Sequence, residues 1–310
     1  MIEDFNLKEQ IKSSAGIRLC VLFGSFFILL ILSSIISIGI NNSPIGDSRD
    51  KLLTSSVVQC LLAFCIPSYL LARFISKKPF QWLRITTPPC FKALCGIIIV
   101  YFLSFPAMEC IIDWNRNVHF PESLSAVESM LREMENANNA VSSTILEARG
   151  WLSICVGVIV VGLITGFSEE LFFRGSLQTI FINSIRYKSV AIFVSAFIFS
   201  VMHFQFFGFV PRLIMGIFFG YLLVWSQSLW VPVFAHFLNN SIVVVVYGLS
   251  PMDEETIMFS GKNGFSIYLI IISVCLTILF FLFFRNLFFC EENKNRVPWQ
   301  KIQQHQISSK

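Results

Sequence analysis

Residues 151–175 read WLSICVGVIVVGLITGFSEELFFRG, and the only charges among them are Glu169, Glu170 and Arg174. A bilayer core takes about 20 predominantly apolar residues, so this stretch reads as a membrane-spanning helix. Ionised groups at such depth cost about 3 kcal/mol each on insertion scales and persist where they have partners or a task. Glu170 and Arg174 stand four residues apart, one helical turn, and can neutralise each other on one face. Glu169 has no such neighbour in sequence. It is the candidate reactive group.

The rest of the chain has the same character. Its 310 residues include 34 Phe and only 14% charged residues, with a mean hydropathy of +0.70. Soluble domains carry about 25% charged residues, so the composition excludes an ordinary soluble domain and predicts an all-α polytopic membrane protein. Spans are expected near 17–40, 56–75, 93–112, 151–172, 190–207, 213–225, 230–249 and 266–284, about eight in all. The sixth is short. Nine cysteines are scattered without a C-x-x-C pair or metal-like spacing, which reads as small apolar thiols rather than a disulfide framework.

Basic residues set the expected orientation. With the N-terminus inside, most of the 23 Lys and Arg fall on inner segments, among them Arg73, Lys77, Lys78, Arg84, Arg186, Lys188 and Arg285. Both termini are therefore expected in the cytoplasm, and the net charge of +4 reflects membrane orientation, with no nucleic-acid partner implied. The expected organisation is a cytoplasmic N-terminal segment (1–16), N-terminal spans (17–112) and an extramembrane amphipathic segment (113–149). A helical core (150–250), a loop with the last span (251–290) and a cytoplasmic polar tail (291–310) follow. The first three spans offer no chemistry, and 113–149 reads as a solvated hairpin of one or two helices.

Four histidines exist. His119 and His305 fall in polar segments, while His203 and His236 lie in apolar ones. A lone intramembrane His is often a helix–helix hydrogen-bonding residue. Two of them, with the glutamate pair and Asn240, ask for more. If the helix of Glu169 continues to a turn near Arg186, Glu169 lies 17 residues before that pivot and His203 17 after it. Equal offsets in an antiparallel hairpin mean equal depth. His236 and Asn240 stand one turn apart on a later helix, hence on one face. Side chains from three helices can thus converge on one buried pocket. Gly216 and Gly220 form G-x-x-x-G, read as close helix packing. Trp225, Trp230 and Tyr221 read as interfacial anchors, and Arg212 as interfacial rather than catalytic.

Three motifs stand in these segments: E-E-x-x-x-R in SEELFFRG (168–175), F-x-x-x-H in FSVMH (199–203) and H-x-x-x-N in HFLNN (236–240). In this order, each inside an apolar stretch, they resemble the CPBP family of intramembrane endopeptidases, the CAAX-protease and bacteriocin-processing or Abi family, over roughly 151–246. The stretches HFQFFGFVPRLIMGIFFGYL and SLWVPVFAHFLNN resemble bacterial members. The resemblance implies that Glu169 is the base for a water that His203 helps to hold. It implies His236 and Asn240 as oxyanion donors, and Glu170 with Arg174 as a structural ion pair. It also implies a metal-independent glutamic protease without a cofactor, seated in the bacterial cytoplasmic membrane and acting on a peptide or membrane-protein substrate.

The chemistry agrees with those roles. Desolvation makes a buried carboxylate a better base, and a tetrahedral intermediate needs donors aimed at its negative oxygen. Asn is neither a base nor a strong metal ligand, so donor is its natural role. A zinc site is the first rival, since two His and one or two Glu could ligate Zn²⁺; H-E-x-x-H is missing. Ser168 and Ser200 lie near the motifs but in no nucleophile setting. A transporter or immunity-type protein is the non-enzymatic rival. Proton relays use Glu and His yet have no need for a His–Asn pair at i,i+4.

Overall fold

Apolar runs broken by short polar turns fold into long helices here because each backbone group must be satisfied within its own segment at membrane depth. The computed structural model describes residues 14–147, 150–249 and 265–290. The expected N-terminal segment up to residue 13, the loop 251–264 and the tail 291–310, with His305, lie outside the described residues. Among the described residues there is no strand, and the chain is an all-α polytopic membrane protein.

The chain opens with α1 (Ala15–Asn41) and α2 (Ser48–Ile75), the latter capped where Asp50 N–H donates to Asp47 Oδ1 at 2.8 Å. Then come α3 (Phe91–Arg116) and the polar helix α4 (Ser125–Leu146). The glutamate helix α5 spans Trp151–Ser184 without a break, 34 residues or about 51 Å. It is followed by α6 (Lys188–Val201), α7 (Phe209–Ser226), α8 (Trp230–Leu249) and α9 (Ile267–Phe284).

Seven helices among the described residues are long and apolar enough to cross a membrane, not the eight expected. The difference is α6. The run expected to span to 207 leaves the helix after Val201, with Phe204 in the left-handed region at φ 52°. Its 14 residues reach about 21 Å, short of a bilayer core of about 30 Å. Buried Asn115 of α3 holds the break open, donating to the Phe206 carbonyl at 3.3 Å and accepting from Val210 N–H at 2.8 Å. The expected short sixth span is longer than read, because Pro211 and Arg212 sit inside the first turn of α7, where proline costs no hydrogen bond.

The expectation for cysteine fails at one pair. Cys90, before α3, and Cys290, after α9, form a disulfide. Their separation of 200 residues leaves no local spacing that sequence could show. The segment 113–149, whose helix α4 has no buried residue, also makes specific contacts. Glu128 gathers the Phe120 amide at 2.7 Å, Arg132 and His119, which hold its carboxyl down to about 2. Beyond it α4 docks on the 202–208 break: Glu135 Oε2 accepts from Phe207 N–H at 3.1 Å, and the Arg132 guanidinium lies 4.1 Å from the Phe207 ring centre.

Of four apolar clusters among the described residues, two make most of the core. One joins α1, α2, α5 and α6 through Leu22, Phe26, Phe172 and Phe199; the other joins α3, α7, α8 and α9 through Ile97, Phe219, Ala235 and Phe280. Close approach of α5 and α6 to α7 depends on the glycine pair. A Cβ on Gly216 would lie 3.0 Å from Ala196 Cβ, and one on Gly220 only 2.6 Å from both Gln178 Oε1 and Ile192 Cγ2. Gly220→Ala is therefore expected to cost about 1–3 kcal/mol, read as a lowered midpoint of thermal unfolding in detergent.

Candidate active site

The site grows from the middle of α5. Two π-helical stretches, Val158–Thr165 and Leu171–Gln178, flank the five α-helical residues Gly166–Glu170. Such widened turns are frequent at functional sites because they re-aim the side chains that follow. Glu170 and Arg174 point inward together and are almost completely buried, at 0% and 1% exposure. Arg174 Nη1 donates to Glu170 Oε1 at 2.8 Å and its Nη2 to the Gly216 carbonyl at 3.1 Å. The guanidinium lies between the rings of Phe199 and Phe219, 4.5 and 5.3 Å from their centres, one from each of the two main clusters. One turn on, Gln178 repeats the device and donates to the Gly220 carbonyl at 3.0 Å.

His236 of α8 completes the clamp. Its Nδ1 is 2.9 Å from Glu170 Oε1. A carboxylate only accepts, so Nδ1 carries the hydrogen. Phe219 stacks on the imidazole at 5.3 Å, and Nε2 then faces Glu169 Oε2 at 3.8 Å. His203, two residues beyond α6, is oriented in the same way. Its Nδ1 is 2.8 Å from the Phe199 carbonyl, which also only accepts, and its Nε2 lies 4.0 Å from the same Glu169 oxygen. The equal-offset hairpin places Glu169 and His203 side by side, with the chain turning at 185–187 between α5 and α6.

Five of the six sequence-derived residues thus form one connected group. Asn240 stands apart from the glutamates. Its Nδ2 donates to the Val161 carbonyl at 3.0 Å and its Oδ1 accepts from Asn239 Nδ2 at 3.2 Å. One amide hydrogen of Asn240 is committed there. Among the described residues, Glu169 Oε2 is buried with no hydrogen-bond partner. No group of three or more His, Cys, Asp or Glu among them is disposed to hold a metal ion.

Sequence reasoning missed Phe199, Phe219 and Asn115, which orient the rings and the His203 turn. Phe199 was visible as the first residue of F-x-x-x-H; Asn115 had no signal. Arg212, read as interfacial, turns back toward the site: it hydrogen-bonds Gln205, whose amide reaches Asn139 of α4 at 3.4 Å.

Residues 151–242 match the family model described as type II CAAX prenyl endopeptidase Rce1-like. The Rce1-like segment starts where α5 starts and ends after Asn240, so it contains all six residues, and it is consistent with the CPBP family that the motifs resemble. The match points to a CAAX-type membrane protease, a hydrolase. No curated protein and no solved structure matches the chain.

Removing one partner of a buried ion pair strands the other charge and costs about 3–5 kcal/mol. Arg174→Met is expected to lose that much in denaturant unfolding. Glu170→Met combined with Arg174→Met is expected to recover part of the loss, since an apolar replacement strands no charge.

Proposed function

We propose that the protein is an intramembrane endopeptidase in which Glu169 activates a water to hydrolyse a peptide bond. The observation that carries this reading is the convergence of His203 Nε2 and His236 Nε2 on one buried oxygen of Glu169, at 4.0 and 3.8 Å. These separations exceed a direct hydrogen bond and suit a water oxygen about 2.8 Å from each group. Glu169 takes one proton from the water as its oxygen bonds to the carbonyl carbon. The same proton passes to the leaving amine as the C–N bond breaks. His203, fixed through Nδ1, accepts the other water proton as a hydrogen bond and sets the direction of attack.

The oxyanion needs donors. Because Nδ1–H of His236 is given to Glu170, Nε2 can donate only when the ring is protonated. The carboxylate of Glu170 orients the ring through Nδ1, much as the buried Asp orients His in a serine protease. The free amide hydrogen of Asn240 supplies a second donor.

One observation favours a second reading, a zinc-dependent hydrolase. Each imidazole donates Nδ1–H to a carboxylate or carbonyl and offers Nε2 to the site, the arrangement usual for metal-ligating histidines. The spacing argues the other way. Ligand atoms about 2.0–2.1 Å from a tetrahedral Zn²⁺ are about 3.3 Å apart, closer than the 3.8 and 4.0 Å here.

The substrate is a peptide or membrane-protein segment, with peptide processing as the setting that the bacterial resemblance suggests. The Lys and Arg distribution supports both chain ends on the cytoplasmic side of the cell membrane. On that orientation α4 and the adjoining His203 turn face away from the cytoplasm.

Cleavage of a mixed peptide library by detergent-purified protein, read by mass spectrometry with and without a strong chelator, tests the reading. Glu169→Gln is expected to lower the rate by about 10²–10⁴, with wild-type cleavage unchanged by the chelator. Cleavage abolished by chelation and restored by Zn²⁺ would establish the metal reading instead. Undiminished cleavage by Glu169→Gln would remove both.

A further inference from the structure

A second feature sits behind the helices that hold the site. Span α3 carries Pro106, which cannot donate to the carbonyl one turn back, and Ser273 of α9 enters the loosened ladder there. Ala107 N–H donates to Ser273 Oγ at 3.2 Å, and Ser273 Oγ donates to the Leu103 carbonyl at 2.5 Å. Past this point α3, α7, α8 and α9 line an open-sided cavity of about 320 Å³ with mostly apolar walls, among them Met108, Phe218 and Phe281.

The cavity shares its walls with the candidate active site. Met215 lines it, and the next residue, Gly216, holds Arg174. Phe218 lines it, and Phe219 stacks on His236. Asn239 lines it and hydrogen-bonds Asn240 at 3.2 Å; Tyr101 lines it and donates to the carbonyl of Ala235, beside His236, at 2.9 Å.

Two of the polar side chains in its walls, Glu109 and Thr277, have no hydrogen-bond partner among the described residues. Glu109, half-buried in the wall, makes no hydrogen bond or ion pair among the described residues. Along the same helix Asp113 stands one turn on and Arg116 two turns on. The hydroxyl of Thr277, also in the wall, is buried without a partner among the described residues. A carboxylate kept in apolar surroundings at about 3 kcal/mol marks a site whose partner is a cation. A volume of this size admits a long side chain with its neighbours, and the walls select an aliphatic stem.

We propose that this cavity is a specificity site for a peptide segment presenting a lysine or arginine among apolar residues, with the cationic head on Glu109 and the stem against Met108 and Phe281. The role in specificity rests on the endopeptidase reading; the binding of the cation does not. Occupancy would press on Asn239 and Phe218, each next to a residue of the candidate catalytic group.

The test measures binding apart from cleavage. A fluorescent Leu/Ala peptide with one central lysine and its norleucine twin are titrated onto the full chain in nanodiscs, carrying Glu169→Gln so that nothing is cut. The lysine peptide is expected to bind at least about tenfold tighter. Glu109→Gln should erase that advantage and leave norleucine binding unchanged, while Val243→Phe, which fills the cavity, should weaken both. Equal binding of the two peptides, or a lysine preference that survives Glu109→Gln, would overturn the proposal and leave a cavity for lipid chains. In wild type, cleavage without preference for lysine would overturn the specificity role while the endopeptidase reading stood. Lysine-selective binding without any cleavage would keep the cation site and remove the endopeptidase reading.

Discussion

The buried ion pair of Glu170 and Arg174 is the constraint around which the rest is arranged. Two charges at 0% and 1% exposure in an apolar bundle are tolerated where they pair with each other and take further partners; here both contacts of Glu170 fall on Oε1, and Oε2 has no partner among the described residues. Arg174 therefore reaches Gly216 of α7, and Glu170 reaches His236 of α8. Phe199 and Phe219 close over the guanidinium from opposite clusters. One pair thus fixes α5, α6, α7 and α8 against one another. The orientation that points His236 Nε2 at Glu169 follows from the same contacts, and the Phe199 carbonyl sets that of His203.

Adjacent glutamates consequently divide their work. Glu170 is spent on structure, whereas Glu169, one residue earlier and 100° round the helix, faces the space left between the imidazoles. The glycines of α7 belong to the same logic. Without side chains at 216 and 220, the α7 backbone comes near enough for Arg174 and Gln178 to take its carbonyls. At the α4 end, Asn115, Glu135 and Gln205 fasten the non-helical turn that carries His203. Irregular backbone beside a membrane core needs such partners.

Much of this was legible in the chain. The Glu170–Arg174 spacing, the equal offsets of Glu169 and His203 about residue 186, and the glycine pair each follow from helical geometry. All-α architecture followed from hydropathy. Other features depend on contacts between residues far apart, which periodicity does not encode. Asn115 lies 91 residues from Phe206, and Cys90 lies 200 from Cys290. The early end of α6 was hidden because its apolar run continues past the helix. Asn240 shares a helix face with His236, yet its amide turns to Val161. Glu109 was passed over because a single acid in an apolar span has no pattern.

The division of labour between the two glutamates is the central claim, and thermal unfolding of Glu169→Gln beside Glu170→Gln tests it most directly. Neutralising Glu169 removes a buried charge that holds nothing in place, so that variant should melt no lower than wild type. Neutralising Glu170 strands Arg174 and releases His236, with a loss of about 3 kcal/mol or more. Equal losses, or a larger loss at Glu169, would contradict the account and make Glu169 the structural member of the pair.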